Sequence, residues 1–205
     1  MGFKKWFPEA FEEFRCVSVF ELLKEYIEEG RIKLDKSKYE GKKITLHHPC
    51  NYFRKSQMMF GQHYLEEYHF IIESLFDKKD IVHLDPDALN DICCGAGGGA
   101  WAMPYDRERL DYGRWKAEQI KNTGADLVCA PCHNCRDQIM KSLTKEFDLD
   151  IETKYLWELV ADSLVVEPWR EEEIKAANAL RDAQYERDEI DFRKYVKKEV
   201  VYTEY

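Results

Sequence analysis

The sequence lacks several features that would place it in a familiar class. No uninterrupted apolar run among its 205 residues approaches the roughly 18 residues of a membrane-spanning helix, so we expect no span of its own. The start, Met-Gly-Phe-Lys-Lys, has no apolar stretch behind its lysines, so a secretory signal is not expected. Basic residues are also few: 31 against 40 acidic ones give a net charge of −9, which argues against nucleic acid as a partner. These absences favour a cytoplasmic protein.

Short apolar segments alternate with amphipathic helical patterns, which predicts an α/β fold with short, largely parallel strands and flanking helices. The predicted helices cover about residues 8–29, 57–76, 106–120, 132–143 and 155–164, and the predicted strands 43–48, 81–84, 91–94, 125–130 and 151–153. Half of the residues from 167 to 204 are charged, which predicts a helical extension and tail. We therefore expect a helical segment over 1–40, a cysteine-rich domain over 41–168 and a charged helix and tail over 169–205.

Cysteine is the informative residue type, with seven copies at positions 16, 50, 93, 94, 129, 132 and 135. An odd count, an adjacent pair and the missing signal argue against a disulfide framework and for a metal or redox site in a reducing compartment. Cys16, on the apolar first helix, is expected to be a buried small residue.

Three cysteine groups fall at equivalent places in the predicted sheet. Cys50 follows the first strand, Cys93 and Cys94 end the third, and Cys132 opens the helix after the fourth. The carboxyl ends of parallel strands gather along one edge, so the groups can converge on one site. The two-residue gap between Cys132 and Cys135 lets both sulfurs face one metal, and a helix start favours the thiolate.

The thiolate count leaves two kinds of metal centre open. A structural zinc takes four ligands, so it would use four cysteines and leave the others buried. An iron–sulfur site is favoured because the Cys93-Cys94 pair lies upstream of a Cys-x-x-Cys motif, although an ordinary cubane also takes only four thiolates. Cys129-x-x-Cys132 competes as the motif, and we prefer the later pair because Cys129 lies within the predicted strand. A metal-free dithiol oxidoreductase using Cys132 and Cys135 is a further alternative.

Residues around the cysteines suggest supporting roles. Without a Cβ, Gly95, Gly97 and Gly98 let the backbone approach a cofactor and aim N–H groups at the sulfurs. His133 could donate a hydrogen bond or move a proton to a leaving thiolate, or it could be an ordinary exposed histidine. Arg136 could balance thiolate charge. Of His47 and His48, strand alternation sends one inward and one outward, so at least one is expected to be structural.

The pattern Cys50…Cys93-Cys94-Gly95…Cys132-x-x-Cys135 resembles the cysteine-rich "CCG" domain of heterodisulfide-reductase-type proteins. The intervals of 42 residues before the pair and 37 after it are near the family's. The segments His48-Pro-Cys-Asn51 and Ala130-Pro-Cys-His-Asn-Cys135 look most like the K subunit of the Dsr membrane complex and its Hme homologue. The resemblance covers about residues 40–168.

This resemblance implies a [4Fe–4S] cluster in a non-cubane arrangement held by five cysteines: Cys50, Cys93, Cys94, Cys132 and Cys135. It also implies an oxidoreductase that splits a disulfide or trisulfide, carried by a small sulfur-carrier protein or formed by two thiol coenzymes. Relatives in the Dsr branch have an upstream ferredoxin-like part, and this chain has no Cys-x₂-Cys-x₂-Cys-x₃-Cys run. Electrons are therefore expected from another subunit of a redox complex, which would hold the chain at the inner face of a membrane, or the chain is one piece of a split protein. A relay without its own substrate and a zinc-stabilised interaction module are the alternatives.

Overall fold

A computed structural model describes residues 6–14, 17–97 and 99–187. The chain divides into two units, residues 1–165 and 166–205. In the first unit the helices are α1 (Pro8–Glu13), α2 (Val19–Glu28), α3 (Arg54–Phe60), α4 (Leu65–Glu73), α5 (Asp106–Thr123), α6 (His133–Asp137), a π-helical turn (Gln138–Leu143), α7 (Thr144–Glu146) and α8 (Leu156–Asp162). Single 3₁₀ turns cover Lys36–Tyr39, Lys78–Asp80, Ala88–Asn90 and Ala100–Ala102. The second unit contains α9 (Glu171–Arg187).

Four short strands form a parallel sheet in the order β2-β1-β3-β4. They are β1 (Ile44–Leu46), β2 (Ile81–Val82), β3 (Leu127–Cys129) and β4 (Glu152–Lys154). The two central strands are buried along their whole length, as expected for a parallel sheet covered on both faces. The predicted α/β fold with short parallel strands and flanking helices is confirmed.

Alternation along β3 separates two apolar cores, one on each face of the sheet. Leu127 and Cys129 pack into the first core, with residues of α2, α4 and α8. Val128 and Ala130 pack into the second core, with residues of α5 and the π-helical turn. Cys94 and Cys135 belong to this second core, which therefore lies directly beneath the cysteine-rich edge.

Three predicted elements were wrong in detail. The helix expected over 8–29 is two helices, because Ser18 and Glu21 form a reciprocal capping box that starts α2 afresh. The helix expected over 57–76 is interrupted at Gly61, whose left-handed conformation (φ +70°) ends α3. Residues 91–94 form no strand in the sheet that the structure describes, and the Asp91 side chain is buried there.

No helix among residues 6–14, 17–97 and 99–187 is long and apolar enough to cross a membrane. Cys16 and the predicted tail over 195–205 lie outside the described residues.

Candidate metal centre

The five predicted ligand cysteines come from three segments at the carboxyl end of the sheet. Cys50 follows β1, and Cys132 and Cys135 follow β3, its hydrogen-bonded neighbour in the sheet. Cys93 and Cys94 lie in the loop between β2 and α5. Because β1 and β3 are adjacent and parallel, their ends deliver these residues to the same edge.

The five cysteines interact in one continuous series. Cys93 interacts with both Cys50 and Cys94. Cys94 Sγ lies 3.1 Å from Cys135 Sγ, and Cys135 in turn hydrogen-bonds with Cys132. All five cysteines are free thiols. The structure thus brings together the residues that the sequence spacing singled out.

Because the five thiols interact closely, their pKa values differ widely. Hydrogen bonds from Cys50 and Cys94 lower the pKa of Cys93 to about 2. A hydrogen bond from Cys135, with the backbone N–H groups of Cys135 and Asn134 at the start of α6, lowers the pKa of Cys132 to about 6.

The other three cysteines resist ionisation. Hydrogen bonding to Cys93 and burial raise the pKa of Cys50, and hydrogen bonding to Cys132 and Cys94 raises that of Cys135. At Cys94 the contact with Cys135 favours the thiolate, but the contact with Cys93 and burial raise the pKa to about 12. Five thiolates can therefore coexist here only with a cation among them, because neighbouring negative charges in a partly buried site repel.

The donor set fits a thiolate-bound iron–sulfur group. Soft sulfur ligands select iron–sulfur clusters, zinc or copper(I), and metal binding removes the protons from the thiols. Zinc would occupy at most four of the five cysteines. Cys50, Cys93, Cys94, Cys132 and Cys135 are the residues that would hold the group.

The glycines that follow Cys94 differ in what the structure requires of them. Gly95 has φ +87°, and a Cβ there would lie 2.6 Å from the carbonyl oxygen of Arg109, so α5 can pack against the loop only if this residue is glycine. The Gly95 N–H also donates to Cys93 Sγ at 3.4 Å. A Cβ at Gly97 would meet nothing within 4 Å, and Gly98 lies outside the described residues.

The structure gives the two predicted flanking residues different surroundings. His133 is 72% exposed beside Cys132, and its Nδ1 hydrogen-bonds with the hydroxyl of Tyr155. Arg136 forms ion pairs with Asp137 and Glu158, both at 3.1 Å, and thereby ties α6 to α8. Its contacts are therefore with carboxylates, and its predicted role beside the cluster stays a prediction.

A buried ionic group that the sequence did not predict lies beneath the cysteines. Asp91 accepts hydrogen bonds from His47 Nδ1 (3.1 Å), from the backbone N–H of His48 (2.8 Å) and from Lys116 Nζ. Lys116 is fully buried and interacts electrostatically with Cys94 and Cys135. A lysine in the middle of a helix looks like a surface residue in sequence, and only the position of α5 turns it inward.

Cys129 occupies a separate environment. It is fully buried in the first core, where Tyr68 donates a hydrogen bond to its carbonyl oxygen at 3.1 Å. Burial raises the pKa of its thiol to about 12. Since strand alternation sends this side chain to the face of the sheet opposite Cys94 and Cys135, the geometry favours Cys132-x-x-Cys135 as the metal-binding pair.

A cavity of about 470 Å³ adjoins the cysteine edge. Asn51 and Tyr52, which follow Cys50, line it together with Pro131, which precedes Cys132. Burial and the electrostatic effect of Cys132 and Cys135 raise the pKa of the Tyr52 hydroxyl. The remaining lining residues are Ser18, Val19, Phe20, Ser56, Phe60, Gln62, Tyr64 and Trp157.

The fold and the cysteine edge define a class of protein. Residues 44–140, slightly less than half of the chain, match the family model of the CCG cysteine-rich domain. The matched range includes Cys50, Cys93, Cys94, Cys132 and Cys135. The predicted resemblance to the CCG domain is confirmed, and the narrower resemblance to the Dsr and Hme branch stays a prediction.

Two curated proteins are similar to the chain. One is the B subunit of the fumarate reductase (CoM/CoB) of Methanothermobacter marburgensis, 29% identical over 158 residues, which are 77% of this chain and 29% of that protein. The other is an uncharacterized iron–sulfur protein of Methanococcus maripaludis, 37% identical over 103 residues, which are 50% of this chain and 18% of that protein. The chain thus spans less than a third of the length of either relative.

Proposed function

We propose that this chain is an iron–sulfur subunit of a heterodisulfide-reductase-like redox complex and acts on a sulfur–sulfur bond. The observation that carries the proposal is the gathering of five mutually interacting cysteines at one sheet edge, with Cys94 Sγ and Cys135 Sγ 3.1 Å apart. Two relatives support it, since one is named a reductase subunit and the other an iron–sulfur protein. When bound, such a cluster supplies single electrons. A [4Fe–4S] cluster of non-cubane form matches five thiolates better than a cubane with four.

The cavity beside the cysteines supports a catalytic subunit rather than a simple electron relay. Its volume of about 470 Å³ lies in the range of small-molecule sites, roughly 300–1,000 Å³. Aromatic side chains such as Phe20, Tyr52 and Tyr64 give it apolar walls, and Asn51 adds a polar group. We infer that a disulfide or trisulfide enters here, either from a pair of thiol coenzymes or from the arm of a small protein.

Reductive cleavage of a disulfide consumes two electrons and two protons and yields two thiols. The electrons would come from a partner subunit of the complex, one at a time. His133 is suited to pass a proton to a departing thiolate, because it is exposed beside Cys132 and held by Tyr155. Lys116, buried near Cys94 and Cys135, would offset part of the negative charge of the ligands.

Metal analysis of anaerobically purified protein tests the centre. We expect about four irons and matching acid-labile sulfide per chain. Cys135→Ser should lose most of this iron, whereas the matched control Cys129→Ser, at an equally buried cysteine in the opposite core, should keep it. One zinc per chain without iron would show a zinc module instead. Equal iron loss in both variants would refute the assignment of the ligands.

A second experiment separates a catalyst from a relay. Iron-loaded protein is supplied with electrons by a reduced viologen and offered a thiol-coenzyme disulfide or a protein trisulfide in separate reactions. We expect one of the two to be consumed, with an accompanying change in the EPR spectrum of the cluster. A spectrum unchanged by both, without turnover, would favour the relay.

A further inference from the structure

We propose that His47 is an additional metal ligand, which binds iron through its Nε2 beside Cys94 and Cys135. This inference rests on the proposed iron–sulfur centre and adds a nitrogen donor to the five cysteines. Imidazole is a suitable ligand for iron, and it occurs with sulfur donors at iron–sulfur centres of the Rieske type.

The position of the ring supports this assignment. A ring nitrogen of His47 and the sulfurs of Cys94 and Cys135 all lie within 4.8 Å of one another, and all three residues are buried. Ligand atoms that share one metal lie about 3–4 Å apart when each is bound at about 2.0–2.3 Å. The three donors are therefore already gathered around one point that a metal ion could occupy.

The hydrogen bonds of the ring leave one nitrogen free for this purpose. His47 Nδ1 donates to Asp91, 3.1 Å away, whose carboxylate is held in place by Lys116. Nε2 is buried and has no hydrogen-bond partner among the described residues. A buried polar atom without a partner calls for an explanation. A carboxylate on one ring nitrogen with a metal on the other is the usual arrangement of a ligating histidine, since the carboxylate fixes the tautomer.

Two other histidines near the centre have different surroundings. The Nε2 of His48 lies 3.1 Å from the Nε2 of His69. His133 is largely exposed, and its Nδ1 is engaged by Tyr155. These two residues provide matched controls, because each is adjacent in sequence to a presumed ligand or to His47 itself.

The test uses the iron-loaded chain labelled with ¹⁵N-histidine and pulsed EPR of the paramagnetic cluster. We expect a directly bound histidine nitrogen, seen as a strong ¹⁵N hyperfine coupling. His47→Gln should lose this coupling while retaining most of the iron through the cysteines, and the cluster potential should shift to more negative values. His48→Gln and His133→Gln should both retain the coupling.

The possible outcomes separate this inference from the proposed function. Iron-loaded protein without a strongly coupled histidine nitrogen overturns the assignment of His47 and leaves the five-cysteine centre intact. Loss of the coupling in His133→Gln or His48→Gln also overturns it. Protein that binds no iron overturns both proposals. Should His47→Gln not fold, the spectra of the unmodified chain and of the two control variants still decide the question.

Discussion

Replacing Lys116 with methionine should strongly destabilise the protein. The side chains of Lys116 and Asp91 form an ion pair with exposures of 0% and 1%. Methionine matches the length of the lysine stem but removes the charge, which leaves the Asp91 carboxylate buried without its cation. Breaking a buried pair in this way costs about 3–5 kcal/mol.

The remaining partners of Asp91 place the expected loss at the lower end of that range. The carboxylate keeps its hydrogen bonds from His47 Nδ1 and from the backbone N–H of His48. We therefore expect a loss of about 3 kcal/mol, which for a chain of this size lowers Tm by roughly 6–12 °C. Urea unfolding at pH 7, followed by circular dichroism with metal content measured in parallel, gives the free energy of unfolding.

The matched control is Lys141→Met. Lys141 pairs with Asp137 at 2.6 Å, but its side chain is 56% exposed, so the loss should stay below about 1 kcal/mol. Adding Asp91→Asn to Lys116→Met should recover part of the stability, because no buried charge then remains unpaired. A loss below about 1 kcal/mol in Lys116→Met, or no recovery in the double variant, would refute the argument that the buried Asp91 carboxylate depends on Lys116 as its cation.

Three further predictions concern the structure around the site. Gly95→Ala should cost about 2–4 kcal/mol of unfolding free energy, against about 1 kcal/mol for Gly41→Ala, because both have positive φ but only Gly95 lies against helix backbone; equal losses in urea unfolding would contradict this. The free energy of unfolding should fall as the pH drops below about 6.5, because burial lowers the pKa of His69 in the folded chain and the unfolded chain therefore protonates this residue more readily. His69→Gln should flatten this pH profile, and an unchanged profile would contradict the prediction. Tyr68→Phe should cost about 1–2 kcal/mol in the same assay, because its buried hydroxyl donates to the carbonyl of Cys129; a cost near zero would refute this.

The sequence by itself determined the fold class and the convergence of the cysteines. Apolar segments alternating with helical patterns specify parallel strands joined by helices, and the ends of such strands must share an edge. The positions of Cys50 and Cys132 relative to those segments were therefore enough to predict that these two residues share a site, whereas Cys94 reaches the same edge from a loop and not from the predicted strand. Strand alternation could also decide against the competing motif at Cys129. A side chain within β3 and one after the strand need not lie on the same face of the sheet.

Tertiary structure alone decided which charged and imidazole groups support that edge. Lys116 lies in a helix rich in charged residues, and nothing local distinguishes it from a solvated lysine. The burial of Asp91 was likewise not predictable from the strand expected over 91–94. The sequence of an extended segment does not show whether the segment pairs in a sheet or places a carboxylate in the protein interior. Burial and ion pairing depend on which helices and strands pack against each other. Local sequence propensity does not specify that packing. The open nitrogen of His47 is visible only once Asp91 is seen to occupy the other.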